Sequence, residues 1–188
     1  MGRIVVTEFV TVDGVAEDPG GAEEFDRGGW AFEFSRGEEG DRFKLDEALA
    51  SDALLLGRRT YEGFAEAWPS REGEFADKFN SMPKYVVSST LRDPEWTNSI
   101  VVGGDLAEEV ERLKGEHEND IVVHGSLQLA QGLLDRDLVE ELRLMVFPVV
   151  LGTGKRLWGE TSGKKPLTLA EAKTVGDGVQ ILVYRPAG

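Results

Sequence analysis

Short apolar runs and amphipathic stretches alternate along this chain. Runs rich in β-branched or aromatic residues, each bounded by polar or turn-forming residues, are typical of strands. They occupy 3–12, 53–56, 85–87, 100–102, 121–123 and 139–147. Stretches with apolar residues at helical spacing separate these runs and predict helices. They lie at 41–50, 60–67, 72–80, from 106 to about 113, and from 127 to about 134.

The last part of the chain has a different pattern. Two strand-like segments near 167–174 and 179–185 flank Asp177-Gly178, a dipeptide that favours a tight hairpin turn. Strands that alternate with helices and then end in a hairpin predict an α/β fold. Its central sheet is mostly parallel and has an antiparallel C-terminal hairpin.

Composition limits the function classes. The 188 residues suit one domain, 1–188, and no linker-like tract divides them. With no cysteine and only two histidines, disulfides, thiol chemistry and a multi-histidine metal centre are excluded. A net charge of -14 argues against nucleic acid and anionic membranes as partners. The absence of a signal-like or membrane-length apolar run fits a cytoplasmic protein, and no metal is expected.

The most informative motif is Gly57-Arg58-Arg59-Thr60, which follows a buried strand and opens a helix. A helix start offers unpaired N–H groups, and arginine supplies fork-shaped donors for phosphate. In so acidic a chain, this motif indicates a site for a phosphorylated ligand. The alternative interpretation is a solvated basic turn in which Thr60 is an ordinary N-cap.

Two further turns follow strands in the same way. Ser88-Ser89-Thr90 offers hydroxyls to a phosphate or ribose, or it is a plain turn. At His124-Gly125-Ser126 the glycine permits close backbone approach to a pyrophosphate, or it only allows tight packing. His124 itself is more often a satisfied, half-buried side chain. Because ligands gather at the carboxyl ends of parallel strands, the three turns predict one site.

Two familiar nucleotide motifs do not fit. The glycine-rich loop around Gly152-Thr153-Gly154-Lys155 continues with Arg156, so it lacks the spacing of an ATP-binding P-loop. The dinucleotide fingerprint GxGxxG is absent as well. A bound dinucleotide would therefore be held by a different turn.

Taken together and in order, several segments resemble the dihydrofolate-reductase-like superfamily. Within it, the similarity is to the branch that includes the C-terminal reductase domain of the bacterial riboflavin-biosynthesis deaminase/reductase. The segments that carry the resemblance are 12–14, 51–61, 83–89, 122–126 and 142–152. The resemblance implies a three-layer dihydrofolate-reductase-like fold and an NADPH-dependent reductase. The expected substrate is a pterin- or pyrimidine-like heterocycle, as for 5-amino-6-(5-phosphoribosylamino)uracil reductase or dihydrofolate reductase.

The resemblance also implies roles for residues and a homodimer. Asp13 and Asp41 are the candidate catalytic, substrate-side carboxylates. The alternative is a purely structural role, for Asp13 as the turn residue of Asp13-Gly14 and for Asp41 as a helix N-cap. Trp30 and its neighbours are expected to cover the cleft as a lid. The residues expected to bind the cofactor are Gly57, Arg58, Arg59, Thr60, Ser88, Ser89, His124, Gly125, Ser126 and Leu127. A second hypothesis is an NADPH-binding accessory or stress-associated protein with little turnover.

Overall fold

A computed structural model describes residues 1–188. Its strands are β1 (Arg3–Thr11), β2 (Ser51–Gly57), β3 (Lys84–Val87), β4 (Ser99–Val102), β5 (Asp120–His124), β6 (Glu141–Phe147), β7 (Leu167–Val175) and β8 (Val179–Pro186). Its helices are α1 (Gly37–Ala50), α2 (Arg58–Ala67), α3 (Glu74–Ser81), α4 (Leu106–Glu116) and α5 (Leu127–Asp135). None of these helices combines the length and apolarity needed to cross a membrane.

The eight strands form one sheet in the order β4-β3-β2-β5-β1-β6-β8-β7. The six strands from β4 to β6 are parallel, whereas β8 runs antiparallel to both β6 and β7. The α/β class, the mostly parallel sheet and the antiparallel C-terminal hairpin are confirmed. The hairpin turn includes Asp177-Gly178, as predicted, and Gly178 has the positive φ of 90° that this turn needs.

Helices cover both faces of the sheet, which gives three layers. On one face, α4 and α5 pack on the odd-numbered residues of β5 and the even-numbered residues of β1, such as Val123 and Val6. On the other face, α1, α2 and α3 pack on Leu54, Leu56 and Val86. The central strands β1, β2 and β5 are buried on both faces, and therefore they appear in the sequence as largely continuous apolar runs.

The outer strand β7 differs from the rest. It is a nine-residue edge strand, and only Val175 within it is buried. The homodimer expected from the resemblance stays a prediction. Like β4 at the other end of the sheet, β7 has unpaired backbone groups that a second copy could meet.

The parallel strands all point their carboxyl ends to one edge of the sheet, which we call the carboxyl edge. The chain leaves that edge through residues 12–14, 58–60, 88–90, 103–105, 125–126 and 148–166. This arrangement gathers the predicted turns after β2, β3 and β5 on neighbouring strands, because β5 and β3 flank β2.

The loop after β1 is held in place by its own contacts. Asp18 accepts hydrogen bonds from the amides of Ala22 and Glu23 at 2.8 and 3.1 Å. The Trp30 ring is 1% exposed and lies edge-on to Phe147, with ring centroids 5.5 Å apart. The expectation that Trp30 acts as a lid is therefore wrong: its ring is a core anchor beneath the C-terminal hairpin.

Replacing Trp30 with alanine tests that anchor. Trp30→Ala removes a large buried side chain together with its hydrogen bond to the Glu17 carbonyl. We expect the free energy of unfolding to fall by about 3–5 kcal/mol in urea titration. Phe32→Ala is the matched control, because Phe32 lies in the same turn and is 80% exposed. A similar small loss in both variants would contradict the role of Trp30.

Candidate active site

Two helix N-termini are tied together at the carboxyl edge. The amide of Gly57, just before α2, donates to Ser126 Oγ at 2.9 Å. In return, the amide of Ser126, just before α5, donates to Thr60 Oγ1 at 2.9 Å. These reciprocal hydrogen bonds hold the starts of α2 and α5 side by side. We call Gly57, Thr60, Gly125 and Ser126 the α2–α5 cradle.

The cradle has the properties of an anion site. No side chain caps either helix at Gly57 or Ser126, so first-turn N–H groups are left to a ligand or solvent. Both helix dipoles place their positive ends here. Gly125 has a φ of 55°, and a Cβ at that position would lie 3.3 Å from Thr60 Oγ1. Glycine therefore permits both the left-handed backbone and the close approach of α2.

Arg58 and Arg59 lie at the rim of the cradle, and only one of the two side chains is held by other groups of the protein. Arg58 donates to Glu62 Oε1 at 2.8 Å and to Thr90 Oγ1 at 2.7 Å. Arg59 is exposed and makes no hydrogen bond or ion pair. Arg58 thus joins the turn after β2 to the turn after β3, whereas the Arg59 guanidinium is available to a ligand.

The remaining predicted cofactor residues, Ser88, Ser89 and Leu127, differ in the groups that they present to a ligand. Ser88 Oγ accepts from the amides of Thr90 and Leu91 and so stabilises its own turn. Ser89 is exposed, and its carbonyl accepts from Arg92. Leu127 is partly buried and packs on the main core. Of this group, only Ser89 presents a hydroxyl that is free of protein contacts.

His124 presents its main chain to the cradle and its ring to the opposite side. Its carbonyl accepts from Ser126 Oγ at 3.3 Å. Its ring lies edge-on to Phe79 of α3, with centroids 5.1 Å apart, and its Nε2 is buried without a partner. Burial first, and then the nearby Lys44 charge, lower the pKa of His124 to about 3. A direct contact between this ring and a cofactor phosphate is therefore not favoured.

A layer of buried charges lies between α1 and the sheet. Lys44 donates to Thr7 Oγ1 at 2.9 Å and pairs with Glu47. Glu47 Oε2 also lies 3.3 Å from Arg143 Nη1, and Arg143 Nη2 lies 2.9 Å from Asp120 Oδ2. Burial alone would raise the pKa of Glu47, but Lys44 and Arg143 outweigh it and hold that pKa below its ordinary value.

The structure does not favour a catalytic role for either predicted carboxylate. Asp13 accepts hydrogen bonds from Thr11 Oγ1 at 2.6 Å and from the Gly152 amide at 2.8 Å. These bonds lower the pKa of Asp13 to about 2, so it has no proton to donate near neutral pH. Asp13 instead joins the loop after β1 to the loop after β6.

Asp41 lies apart from the other candidate groups. Its side chain is 65% exposed and pairs with Arg36 Nη2 at 2.7 Å. The buried residues of α1 are instead Gly40, Lys44, Glu47 and Ala48. Asp41 is therefore turned away from the sheet by the helical period, and Lys44 and Glu47 take the inward positions.

Sequence reasoning missed Lys44, Glu47 and Glu8 as candidate site residues. The i, i+3 spacing of Lys44 and Glu47 was a signal for an ion pair, although nothing local indicated burial. Glu8 interrupts an apolar strand, and this was its only signal.

Two shallow grooves of about 450 and 320 Å³ flank α1, on its side toward β7 and β8, and neither includes the cradle.

The buried ring of His124 predicts a pH effect on stability. In the unfolded chain a histidine takes up a proton near pH 6.5, whereas in the fold His124 does so only near pH 3. Between these values the unfolded state binds more protons, so stability falls as the pH falls. The contribution is complete above the upper value, and its slope is at most about 1.4 kcal/mol per pH unit.

We expect His124→Phe to flatten this window in urea titrations repeated across the pH range. His117→Gln is the control, since it removes the other histidine and leaves His124 in place. Identical pH profiles for His124→Phe and the unchanged protein would contradict the assignment.

Comparisons of sequence agree with this architecture. A model of the RibD C-terminal domain matches residues 3–181. The uncharacterized protein YyaP of Bacillus subtilis (strain 168) is 29% identical over 187 residues, which cover 97% of this chain and 94% of YyaP. The uncharacterized protein YwjB of the same organism is 27% identical over 184 residues, which cover 97% of this chain and 98% of YwjB.

Solved structures share the fold. A putative riboflavin biosynthesis protein from Shewanella sp. PV-4 superposes with a TM-score of 0.80 at 21% identity, covering 99% of both chains. A pyrimidine reductase-like protein from Corynebacterium diphtheriae gives 0.64 at 13% identity, covering 99% of this chain and 92% of that one. Acinetobacter baumannii RibD gives 0.65 at 13% identity, covering 100% of this chain and 59% of that one. The matched range, together with the shared fold, shows that the chain belongs to the RibD C-terminal domain family, with its dihydrofolate-reductase-like fold.

Proposed function

We propose that this protein is an NADPH-dependent reductase of a pyrimidine- or pterin-like heterocycle. The observation that carries the proposal is the α2–α5 cradle, in which two uncapped helix N-termini meet and are locked by reciprocal hydrogen bonds. A pyrophosphate is the ligand that such paired N-termini suit, because its charges are spread over two neighbouring phosphates. Family membership supports reductase chemistry.

The residues present fit the cofactor. The cradle would hold the pyrophosphate through backbone N–H groups of α2 and α5. Arg59, with Arg58 behind it, would meet the 2′-phosphate that distinguishes NADPH from NADH, since guanidinium groups form paired charge-assisted hydrogen bonds with phosphate. When bound, NADPH supplies a hydride to the heterocycle, so no metal is required.

The protein's own part is to hold the two ligands in place and to exclude water. In the proposal, the cofactor lies along the carboxyl edge at β2, β5 and β1. The substrate lies beside the inward face of α1, near Lys44 and Thr7. The hydrogen bond of Lys44 to Thr7 and the ion pair of Glu47 with Arg143 hold α1, which forms that wall, against the sheet. The names of the structural neighbours, a pyrimidine reductase-like protein and riboflavin biosynthesis proteins, favour a pyrimidine such as 5-amino-6-(5-phosphoribosylamino)uracil.

One observation favours the second function, a cofactor-binding accessory protein with little turnover. Lys44, Glu47 and Arg143 satisfy one another beneath α1 and are mostly buried. A wall whose charges are already paired offers few free groups to orient a substrate. The cradle would then bind NADPH without an efficient reaction.

A binding and turnover experiment separates the two functions. The tryptophans provide a fluorescence signal for titration with NADPH and NADH, and NADPH oxidation is followed with dihydrofolate or the aminopyrimidine. We expect NADPH binding at or below millimolar concentration, together with oxidation on addition of the aminopyrimidine. Binding without oxidation would favour the accessory role, and no binding of either nucleotide would contradict both functions.

Alanine variants of the arginines test the 2′-phosphate assignment. Arg58→Ala and Arg59→Ala are each expected to weaken NADPH binding by about 1–3 kcal/mol and to affect NADH less. Arg112→Ala, an ion-paired surface arginine on α4, is the matched control and should leave both affinities unchanged. An equal loss for NADPH and NADH would mean that the arginines meet the shared pyrophosphate instead.

A further inference from the structure

Glu8 is a buried carboxyl group without a partner. The residue is 5% exposed, and its Oε1 is sealed from solvent and makes no hydrogen bond. A buried polar group that lacks a partner is unusual in a folded protein and is costly. The ion pairs of the α1 layer include Glu47 and Asp120 but do not include Glu8. A ligand group that reached Glu8 and completed its hydrogen bonds would remove that cost.

The strand register places Glu8 next to the α2–α5 cradle. Thr7 of β1 pairs with His124, the last residue of β5, so Glu8 follows at the level where β5 ends and Gly125 begins the turn. On its other side Glu8 pairs with Leu144 of β6. Adjacent strands lie about 5 Å apart, so the backbone of Glu8 stands one strand spacing from the turn that opens α5.

The side chain of Glu8 points to the α5 face of the sheet. Side chains alternate along a strand, and Val6 and Val10 belong to the core beneath α4 and α5. Thr7 has the opposite orientation and contacts Lys44 of α1. Glu8 and the proposed substrate wall are thus on different faces, and the first turn of α5 follows directly from the Gly125-Ser126 turn beside Glu8.

The surroundings of Glu8 favour its neutral form. Burial raises the pKa of Glu8 well above its ordinary value, and the nearby Lys44 charge offsets this only in part. A neutral carboxylic acid carries one donor and one acceptor side by side. Its complement is a primary carboxamide, which offers an N–H and a C=O in the matching order.

We propose that Glu8 forms a paired hydrogen bond with the carboxamide of the nicotinamide ring. This inference rests on the proposed function, since it takes NADPH as the ligand. With the pyrophosphate at Gly125 and Ser126, the nicotinamide end of the cofactor is the part that reaches β1. The pairing fixes the carboxamide end of the ring, which makes Glu8 a specificity residue for the nicotinamide half of the cofactor.

Two variants and three probes test the proposal. Glu8→Gln keeps a neutral donor and acceptor, whereas Glu8→Leu removes both. The probes are NADPH, its 3-acetylpyridine analogue, which has no carboxamide N–H, and adenosine 2′,5′-bisphosphate, which has no nicotinamide. Binding is measured by fluorescence titration, and folding of each variant by thermal melting.

The unchanged protein and Glu8→Gln are expected to bind NADPH about equally and to prefer it over the analogue by about tenfold. Glu8→Leu should bind NADPH about tenfold more weakly, lose the preference, and retain its affinity for adenosine 2′,5′-bisphosphate. Should Glu8→Leu fail to fold, the unchanged protein still tests the proposal, because equal binding of NADPH and its analogue would overturn it.

Two results overturn this inference and leave the proposed function standing. One is equal binding of NADPH and its analogue by the unchanged protein, and the other is full NADPH affinity in Glu8→Leu. A loss in Glu8→Leu that affects the heterocyclic substrate and not NADPH would move Glu8 to the substrate and also overturns the assignment. Failure of the unchanged protein to bind both NADPH and adenosine 2′,5′-bisphosphate would instead contradict the proposed function itself.

Discussion

The buried charges between α1 and the sheet fix the position of the helix that forms one wall of the candidate cleft. Lys44 and Glu47 face inward where an ordinary helix would present apolar side chains, and Arg143 meets them from β6. A buried charge that loses its partner costs several kcal/mol, so each of these groups is tolerated only because the others are present. Apolar contacts alone would allow α1 to slide along the sheet, whereas these ion pairs form in only one position of the helix. That position sets the distance between α1 and β1, and hence the width of the candidate cleft.

The end of β5 connects this charged layer with the α2–α5 cradle. The ring of His124 lies among the groups beneath α1, whereas its carbonyl accepts from Ser126, whose own hydroxyl receives the Gly57 amide. Burial, together with the positive charges of Lys44 and Arg143, lowers the pKa of the His124 ring, so the ring is neutral and adds no further repulsion. A displacement of β5 would therefore disturb the cradle and the α1 wall together. This gives a physical reason why the two halves of the cleft are held in one relative position.

Much of the fold was predictable because its determinants are local. Short apolar runs, helical spacing and the Asp177-Gly178 turn fix strands, helices and the hairpin, and the parallel order then brings the polar turns to one edge. The inward face of α1 was not predictable, because the groups that allow Lys44 and Glu47 to be buried lie far away in the chain, as Arg143 does. Asp41 was expected from the resemblance alone, and a match along the sequence carries no information on which side of a helix a residue faces. Trp30 was expected in a lid over the cleft, yet its ring packs beside Phe147 and the C-terminal hairpin, which lie far away in the chain.

The strongly negative charge of the chain limits how a phosphate ligand can be held. At -14, the long-range field opposes the approach of NADPH, and salt screens that field over about 8 Å at physiological ionic strength. Backbone N–H groups and helix dipoles act at contact distance and are screened much less. The cradle therefore relies on groups that carry no net charge, with arginine only at its rim. In the role proposed for Glu8, burial that raises its pKa serves the same end, because a protonated acid beside the cofactor phosphates would avoid the repulsion that a carboxylate would add. An acidic protein can bind an anionic cofactor in this way when the close contacts are made by dipoles and neutral donors and the few cations stand where the extra phosphate lies.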